Sequence, residues 1–278
     1  MQKLYNMKDS KSLSKSGSKL LMALAEDDRN VFTFADAQAI LATSETATRK
    51  LLSDLMAKKW LISLTRGKYL VVPLSAGEEA AVSESWYVIA KYLSEPRSYF
   101  LSHYTAMAIH NMTTQPVSTV FISMPHKKRA IAALGASFRF VYIDSSRMWG
   151  DRDTWATPTQ QVKVSDLERT IVDCLNNPRL SGGVSEIAKG IHARRSDIDY
   201  QKLVKDVGRF GNNAVAKRLG FLLELYDLDD AAVEKLRQTA SASYVLLDPS
   251  LPPTGNHWSR WRMRLNLDPE ELREIVKT

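Results

Sequence analysis

The sequence predicts an α+β protein in two domains, and three observations predict it. At 278 residues the chain exceeds the roughly 150 typical of one domain. Within residues 1–75, three helical patterns precede two short β-rich runs around a tight turn. From residue 76 to 278, helical patterns alternate with short apolar strands, the mark of a mixed α/β domain. A composition that is 44% hydrophobic and 25% charged supplies an ordinary globular core, so unusual residues need not be stabilising devices.

The first dozen residues, rich in Lys and Ser, read as a mobile arm. From Ser16 to Glu26, Leu20, Leu21 and Leu24 fall at helical spacing and give the first helix. In VFTFADAQAILA, Thr33 with Asp36 three residues later is a capping signature ahead of Ala37, Ile40 and Leu41. That second helix ends near Ala42. The third, SETATRKLLSDLMAKKW, takes Thr43 or Ser44 as its cap and runs to about Lys58. At about 100° per residue, Ala47, Leu51, Leu55 and, at the margin, Leu52 gather on one face, with Thr46, Arg49, Lys50 and Ser53 on the other. An ordinary amphipathic helix accounts for that pattern taken alone.

The following segment shifts the balance. WLISLTRGKYLVVP reads as strands Trp60 to Leu64 and Tyr69 to Val72 joined by Thr65-Arg66-Gly67-Lys68, where Gly67 supplies the positive φ of a tight turn. Three helices, a short turn before the third, and a hairpin tipped with Arg and Lys are the order of a winged helix-turn-helix. The third helix then offers hydroxyls and cations to base edges and phosphates in a major groove, while Arg66 and Lys68 reach flanking backbone or minor groove.

Pro73 to Gly77 breaks the pattern, and a fresh helix opens at Glu78-Glu79 and runs through SWYVIAKYL. SHYTAMAIHNM is a helix, STVFISM and FRFVYI are strands, and QVKV leads into SDLERTIVDCLNN, a helix capped by Ser165 with Glu168 as the capping-box partner. Helices follow at VSEIAKGI, YQKLVKDVGRF, NAVAKRLGFLLELY and DAAVEKLRQTA. The strands YVLL and RWRMRLNL and a short C-terminal helix complete the domain.

Charge distribution points to the partner. Residues 1–75 hold 12 Lys and Arg against 7 Asp and Glu, whereas the remaining 203 residues hold 26 against 24, so most of the net +7 sits at the N-terminus. A basic segment attracts polyanions by releasing counterions, and nucleic acid is the expected one, beside a basic surface kept only for solubility; with the winged helix the expected partner is double-stranded DNA. No run approaches the roughly 18 apolar residues of a membrane span, and the start lacks an apolar signal core, so a soluble, cytoplasmic protein without membrane contact is expected. The single Cys174, in an apolar helical context, excludes an intrachain disulfide and reads as a core thiol.

Signatures of chemistry are sparse. GxxxxGK[ST], HExxH, CxxC and GxSxG patterns are all missing, and His103, His110, His126, His192 and His257 do not fall at metal-ligand spacing. His103 and His110 share a helix face and read as a partly exposed pair. Asp166, Glu168 and Asp173 are the one carboxylate cluster that a metal-dependent nuclease would want, although Asp173 also suits an ion pair with Arg169. SGGV, Ser181 to Val184, reads as a helix entry turn rather than a phosphate cradle. No catalytic residue, metal ligand or cofactor is therefore assigned.

The winged helix, the run SYFLSHYTAMAIHNM, the strand TVFISMP, the segment VKVSDLERTIVDCLNNPRLSGGVSEIAKGI and KRLGFLLELY, in that order, resemble the AbiEi family of antitoxins from type IV toxin-antitoxin systems. The resemblance spans about residues 16 to 267, with SHYTA, SDLERTIVD and RLGFLLE its sharpest pieces. It implies an abortive-infection (phage-defence) protein whose winged helix represses its own operon at promoter repeats and whose C-terminal domain counteracts a nucleotidyltransferase-like toxin, directly or indirectly. It also implies a DNA-reading helix from Ser44 through Lys59 and a wing from Ile62 through Val72. The implied DNA-binding residues are Ser44, Thr46, Thr48, Arg49, Lys50 and Ser53 with Arg66 and Lys68, and Lys58 and Lys59 on phosphates only. The family contributes no catalytic residues, so a non-enzyme is expected. The basic stretch His126-Lys127-Lys128-Arg129 is a candidate toxin-facing surface. Two alternatives stand beside this reading: a stand-alone winged-helix transcriptional regulator and the nuclease.

Overall fold

The computed structural model describes residues 12–73 and 85–276. The chain is α+β and divides into two compact units, Met1–Ser85 and Trp86–Thr278. The expected N-terminal arm up to residue 11, the expected boundary at 75/76 and the expected helix opening at Glu78-Glu79 lie outside the described residues.

In the first unit the order is α1 (Lys15–Glu26), β1 (Val31–Thr33), α2 (Phe34–Leu41), α3 (Glu45–Ala57), β2 (Leu61–Thr65) and β3 (Lys68–Val71). Each helix starts where a side chain takes over an unpaired backbone donor. Ser14 accepts from Gly17 N, and Ser44 from Ala47 N. Thr33 and Asp36 form the full capping box that their spacing predicts. The hairpin turn is shorter than expected, because Lys68 already pairs with Thr65 across it. Gly67 lies at φ +80, and a Cβ there would meet nothing within 4 Å, so the turn requires its backbone freedom rather than its small size.

The missed element is β1, three residues that pair antiparallel with β3 and make a sheet of order β1-β3-β2. Leu20, Leu24, Phe32, Ala37, Leu41, Leu52, Leu55, Trp60 and Leu61 form the buried core beneath it. The phase of α3 differs from the expected one by a residue. Thr48, Leu52 and Leu55 are buried and Ala47 is exposed; Thr48 can take a buried place because its hydroxyl bonds within its own turn.

The second unit carries a mixed six-stranded sheet of order β6-β7-β5-β4-β9-β8. Its strands are β4 (Phe100–Leu101), β5 (Thr119–Met124), β6 (Ile131–Ala133), β7 (Ala136–Tyr142), β8 (Asp151–Trp155) and β9 (Gln161–Ser165). The β5–β7 and β4–β9 pairings are parallel and the others antiparallel. Helix α4 (Trp86–Ser94) precedes the sheet, and α5 (His103–Ile109) sits between β4 and β5. Then follow α6 (Leu167–Asn176), α7 (Val184–Ala193), α8 (Tyr200–Phe210), α9 (Asn213–Leu225) and α10 (Asp230–Thr239). A small sheet of order β10-β12-β11, from β10 (Val245–Leu246), β11 (Asn256–Trp258) and β12 (Met263–Leu265), and α11 (Pro269–Glu274) close the chain. Ile171, Leu175, Ile187, Leu203, Leu219, Leu222 and Trp261 lie among the residues of one continuous apolar core.

Two local expectations are corrected here. The cap of α6 is Asp166, whose carboxylate accepts from Arg169 N, and not Ser165. Ser165 is claimed by the sheet: it pairs with Asp151 on β8, and its hydroxyl donates to Leu101 O. Glu168 is accordingly no capping-box partner of Ser165. His103 and His110 are both buried, at 3% and 6% exposure, rather than partly exposed. Among the described residues no helix is long and apolar enough to cross a membrane.

Candidate nucleic-acid interface

Thr46, Arg49, Lys50 and Ser53 are exposed on α3, on the side away from Leu52 and Leu55. Ser44 is exposed too, but its hydroxyl is committed to capping Ala47 N at 3.3 Å. Thr48 is withdrawn from the exposed face of α3. It is fully buried, donates to Ser44 O at 3.1 Å and lies 3.0 Å from the Thr43 hydroxyl, so it knits the turn before α3 to the helix and cannot face a groove. Lys58 donates to Ser12 O at 3.0 Å, tying the end of α3 to the segment that leads into α1. Lys59 is exposed beyond the helix end at φ +58. Arg66 is exposed at the hairpin turn, and Lys68 is half-buried beside it.

Phe34, a residue absent from the sequence-based expectation, brings α3 and the hairpin together. The Arg49 guanidinium lies 5.2 Å from the Phe34 ring centroid. The Phe34 N–H, at the first turn of α2, donates to Gly67 O at 2.9 Å. Gly67 stands between Arg66 and Lys68, and Lys68 pairs in register with Thr33. One half-buried aromatic therefore touches a cation of α3 through its ring and the hairpin turn through its backbone. In the sequence Phe34 stands directly after the Thr33 cap, where the Thr33 and Asp36 spacing marks only a helix start.

Electrostatics around this corner are shared among several residues. Glu45, on the first turn of α3, accepts from Arg49 Nε at 3.0 Å and also engages Nη2. Asp36 accepts from the Thr33 N–H and hydroxyl, each at 2.7 Å, and pairs with Arg29 at 3.0 Å. Burial alone would raise the Asp36 carboxyl, but those hydrogen bonds and the Arg29 charge outweigh it and hold it below the ordinary carboxylate range.

In the second unit, each of the strings that carry the family resemblance supplies buried polar groups that anchor neighbouring segments. Ser123 donates to the Ser102 hydroxyl at 2.8 Å, and Ser102 meets His103 Nδ1 at 2.9 Å. His110 Nε2 donates to Ser165 O at 2.7 Å. Arg169, fully buried, donates to the carbonyls of Arg147 and Trp149 at 2.9 Å each and to Asp173 at 3.0 Å, 4.2 Å from the Trp149 ring. Arg218 donates to Leu175 O at 2.8 Å and Leu247 O at 2.9 Å. SHYTA, SDLERTIVD and RLGFLLE thus hold strands and helices together.

The three carboxylates of the nuclease alternative are each committed to a cation of the chain. Lys202 binds Asp166 at 2.9 Å, Glu168 at 3.1 Å and Asp206 at 2.7 Å, while Asp173 belongs to Arg169. Burial pushes the Lys202 ammonium down, and the carboxylates reverse this and hold it above the usual lysine range. Among the described residues no group of three or more His, Cys, Asp and Glu is placed to hold a metal ion. The SGGV loop is a helix entry, with the Asp248 carboxylate taking Val184 N at 2.7 Å where a phosphate would sit. In the basic stretch, Lys128 bonds Leu93 O and lies 4.6 Å from the Phe140 ring, leaving Lys127 and Arg129 as its exposed cations. A cleft of about 510 Å³ is lined by Thr113, Glu186, Lys189, His192 and Arg195 among others. Cys174 is buried, which pushes its thiol well up from the usual range.

No family model and no curated protein matches the sequence. Among solved structures, the crystal structure of the RV2827C protein from Mycobacterium tuberculosis matches with a TM-score of 0.72, at 16% identity and over 97% of each chain. The fold is shared. At that identity the likeness extends to the path of the backbone and not to what either protein binds.

Proposed function

We propose that the first unit is a winged helix-turn-helix that binds duplex DNA, and that the protein is a cytoplasmic type IV antitoxin repressing its own operon. The observation that carries the DNA reading is the Phe34 junction: Arg49 rests on its ring, and the turn bearing Arg66 accepts its N–H. With α3 in a major groove, Thr46, Arg49, Lys50 and Ser53 meet base edges and phosphates, and Arg66 and Lys68 meet the flanking backbone. Antitoxin action on a nucleotidyltransferase-like toxin rests on the AbiEi resemblance alone, and no catalytic role is assigned.

The test is fluorescence anisotropy with the full chain and the duplex upstream of its own gene, from 50 to 200 mM salt. Arg49→Glu and Arg66→Glu should each weaken binding more than about tenfold, and the salt slope should fall by about one for each phosphate no longer neutralised. Wild-type protein without salt-dependent binding would overturn the DNA reading. For the antitoxin, co-expression with a neighbouring nucleotidyltransferase gene should restore growth; no rescue leaves a stand-alone regulator.

A further inference from the structure

We infer that Glu45 is a positioning residue that makes Arg49 a reader of guanine rather than a clamp for phosphate. The inference rests on the DNA reading proposed above, and it begins with a charge on the wrong side. A surface meant only to attract phosphates gains nothing from a carboxylate on the first turn of its groove-facing helix. Glu45 is 60% exposed and its partner Arg49 66% exposed, so neither is there to fill the core, and an exposed pair of this kind adds little to stability.

The geometry gives the pair a different use. Glu45 engages the Nε and Nη2 side of the guanidinium, and the Phe34 ring lies 5.2 Å away. Nη1 has no hydrogen-bond partner among the described residues. Arg recognises guanine through two parallel N–H bonds to O6 and N7, which needs a fixed plane and a free edge. A side chain already held on two sides loses less rotamer freedom when it binds.

Charge then selects between targets. Glu45 and Arg49 together are neutral, so a phosphate approaching Arg49 also approaches a carboxylate at hydrogen-bonding distance from it. A guanine edge presents uncharged acceptors and meets no such repulsion. General attraction to the duplex falls to Lys50, Arg66 and Lys68, the other cations of α3 and the hairpin turn. Sequence discrimination is assigned to the Glu45–Arg49 pair.

The experiment uses the full chain and two measurements on wild type, Glu45→Gln and Arg49→Lys. One is selection from a randomised duplex library; the other is anisotropy with a single duplex of arbitrary sequence between 50 and 200 mM salt. Wild type should enrich guanine at one position. Glu45→Gln should flatten that enrichment, tighten arbitrary-duplex binding by about threefold or more, and steepen the salt slope by about one as Arg49 turns to phosphate. Arg49→Lys should lose the guanine while keeping the wild-type slope. Duplex binding with enrichment and slope unchanged in Glu45→Gln overturns the inference and leaves the DNA reading standing. Absence of any duplex binding by wild type overturns both.

Discussion

Arg169 shows at the scale of one residue what the second unit asks of its charged groups. It is fully buried, and its partners are two carbonyls and the Asp173 carboxylate. Arg169→Ala would leave Asp173 buried and unpaired and two carbonyls without donors, and is expected to cost about 3–5 kcal/mol in urea unfolding of the full chain. A loss under about 1 kcal/mol would mean that water replaces the guanidinium. Titration follows from the same burial. Burial, with the Arg169 charge adding to it, lowers His103 from 6.5 to about 3. Burial likewise lowers His110. The folded protein therefore binds fewer protons than the unfolded chain below pH 6.5, and stability falls as pH drops through that window. Asp173 has the opposite sign: burial raises it to about 6, so its contribution is present below 3.8 and lost as pH rises through about 6. The displacement of His103 is the larger and His110 adds to it, so the net trend is destabilisation in acid. Urea midpoints should fall from about pH 7 to about pH 4, and less steeply in His103→Asn; parallel curves would refute the assignment. The i,i+4 spacing announced the Arg169–Asp173 pair, but nothing local announced the two histidines, whose burial depends on strands and helices from elsewhere in the chain. Thr48 failed for a related reason, since a hydroxyl that bonds to its own turn is polar in sequence and buried in the fold.

Elements were legible where periodicity and caps agree. The Thr33 and Asp36 box, the Ser44 cap and the helices from α7 to α10 stand close to where spacing put them. What one segment cannot reveal is a partner that decides between neighbouring caps, as β8 does when it draws Ser165 into β9, or a short strand such as β1 that exists only because β3 lies beside it. Helix glycines give this a quantitative test. Alanine is favoured over glycine within a helix by about 0.5–1 kcal/mol. A Cβ at Gly208 on α8 would meet nothing within 4 Å, so Gly208→Ala should raise stability by about that amount. A Cβ at Gly220 on α9 would overlap the Trp261 ring, a buried indole that cannot retreat as a flexible chain end could. There overpacking outweighs propensity, and Gly220→Ala should destabilise by about 1–3 kcal/mol or more. Thermal unfolding of the two variants should move in opposite directions; equal shifts would show that α9 packs loosely on Trp261.

Across the whole molecule, the fold class was written in pattern, whereas the mixed sheet order and the buried bonds of Arg169 and Arg218 to distant carbonyls depended on long-range pairing that no window contains. The N-terminal corner was half legible: its cations were visible, but not Phe34 as their junction or Glu45 as their counterweight. The charge balance supplies the last test, because two accounts of DNA attraction differ in it. If the net +7 of the chain acts as one diffuse field, any loss of cations weakens binding alike; if the first unit holds the interface, position decides. Reversing two cations changes the charge by four, so Arg49→Glu with Arg66→Glu and Lys127→Glu with Arg129→Glu both bring +7 to +3. Exposed charges farther than about 8 Å from a phosphate are largely screened at physiological salt. If the first unit holds the interface, the first double variant should lose more than about tenfold in duplex affinity and about one unit of salt slope through Arg66, while the second, at the same net charge, should stay within about twofold of wild type. Equal losses in anisotropy titrations would show that the duplex responds to total charge, and α3 with its hairpin would have no claim to be the binding surface.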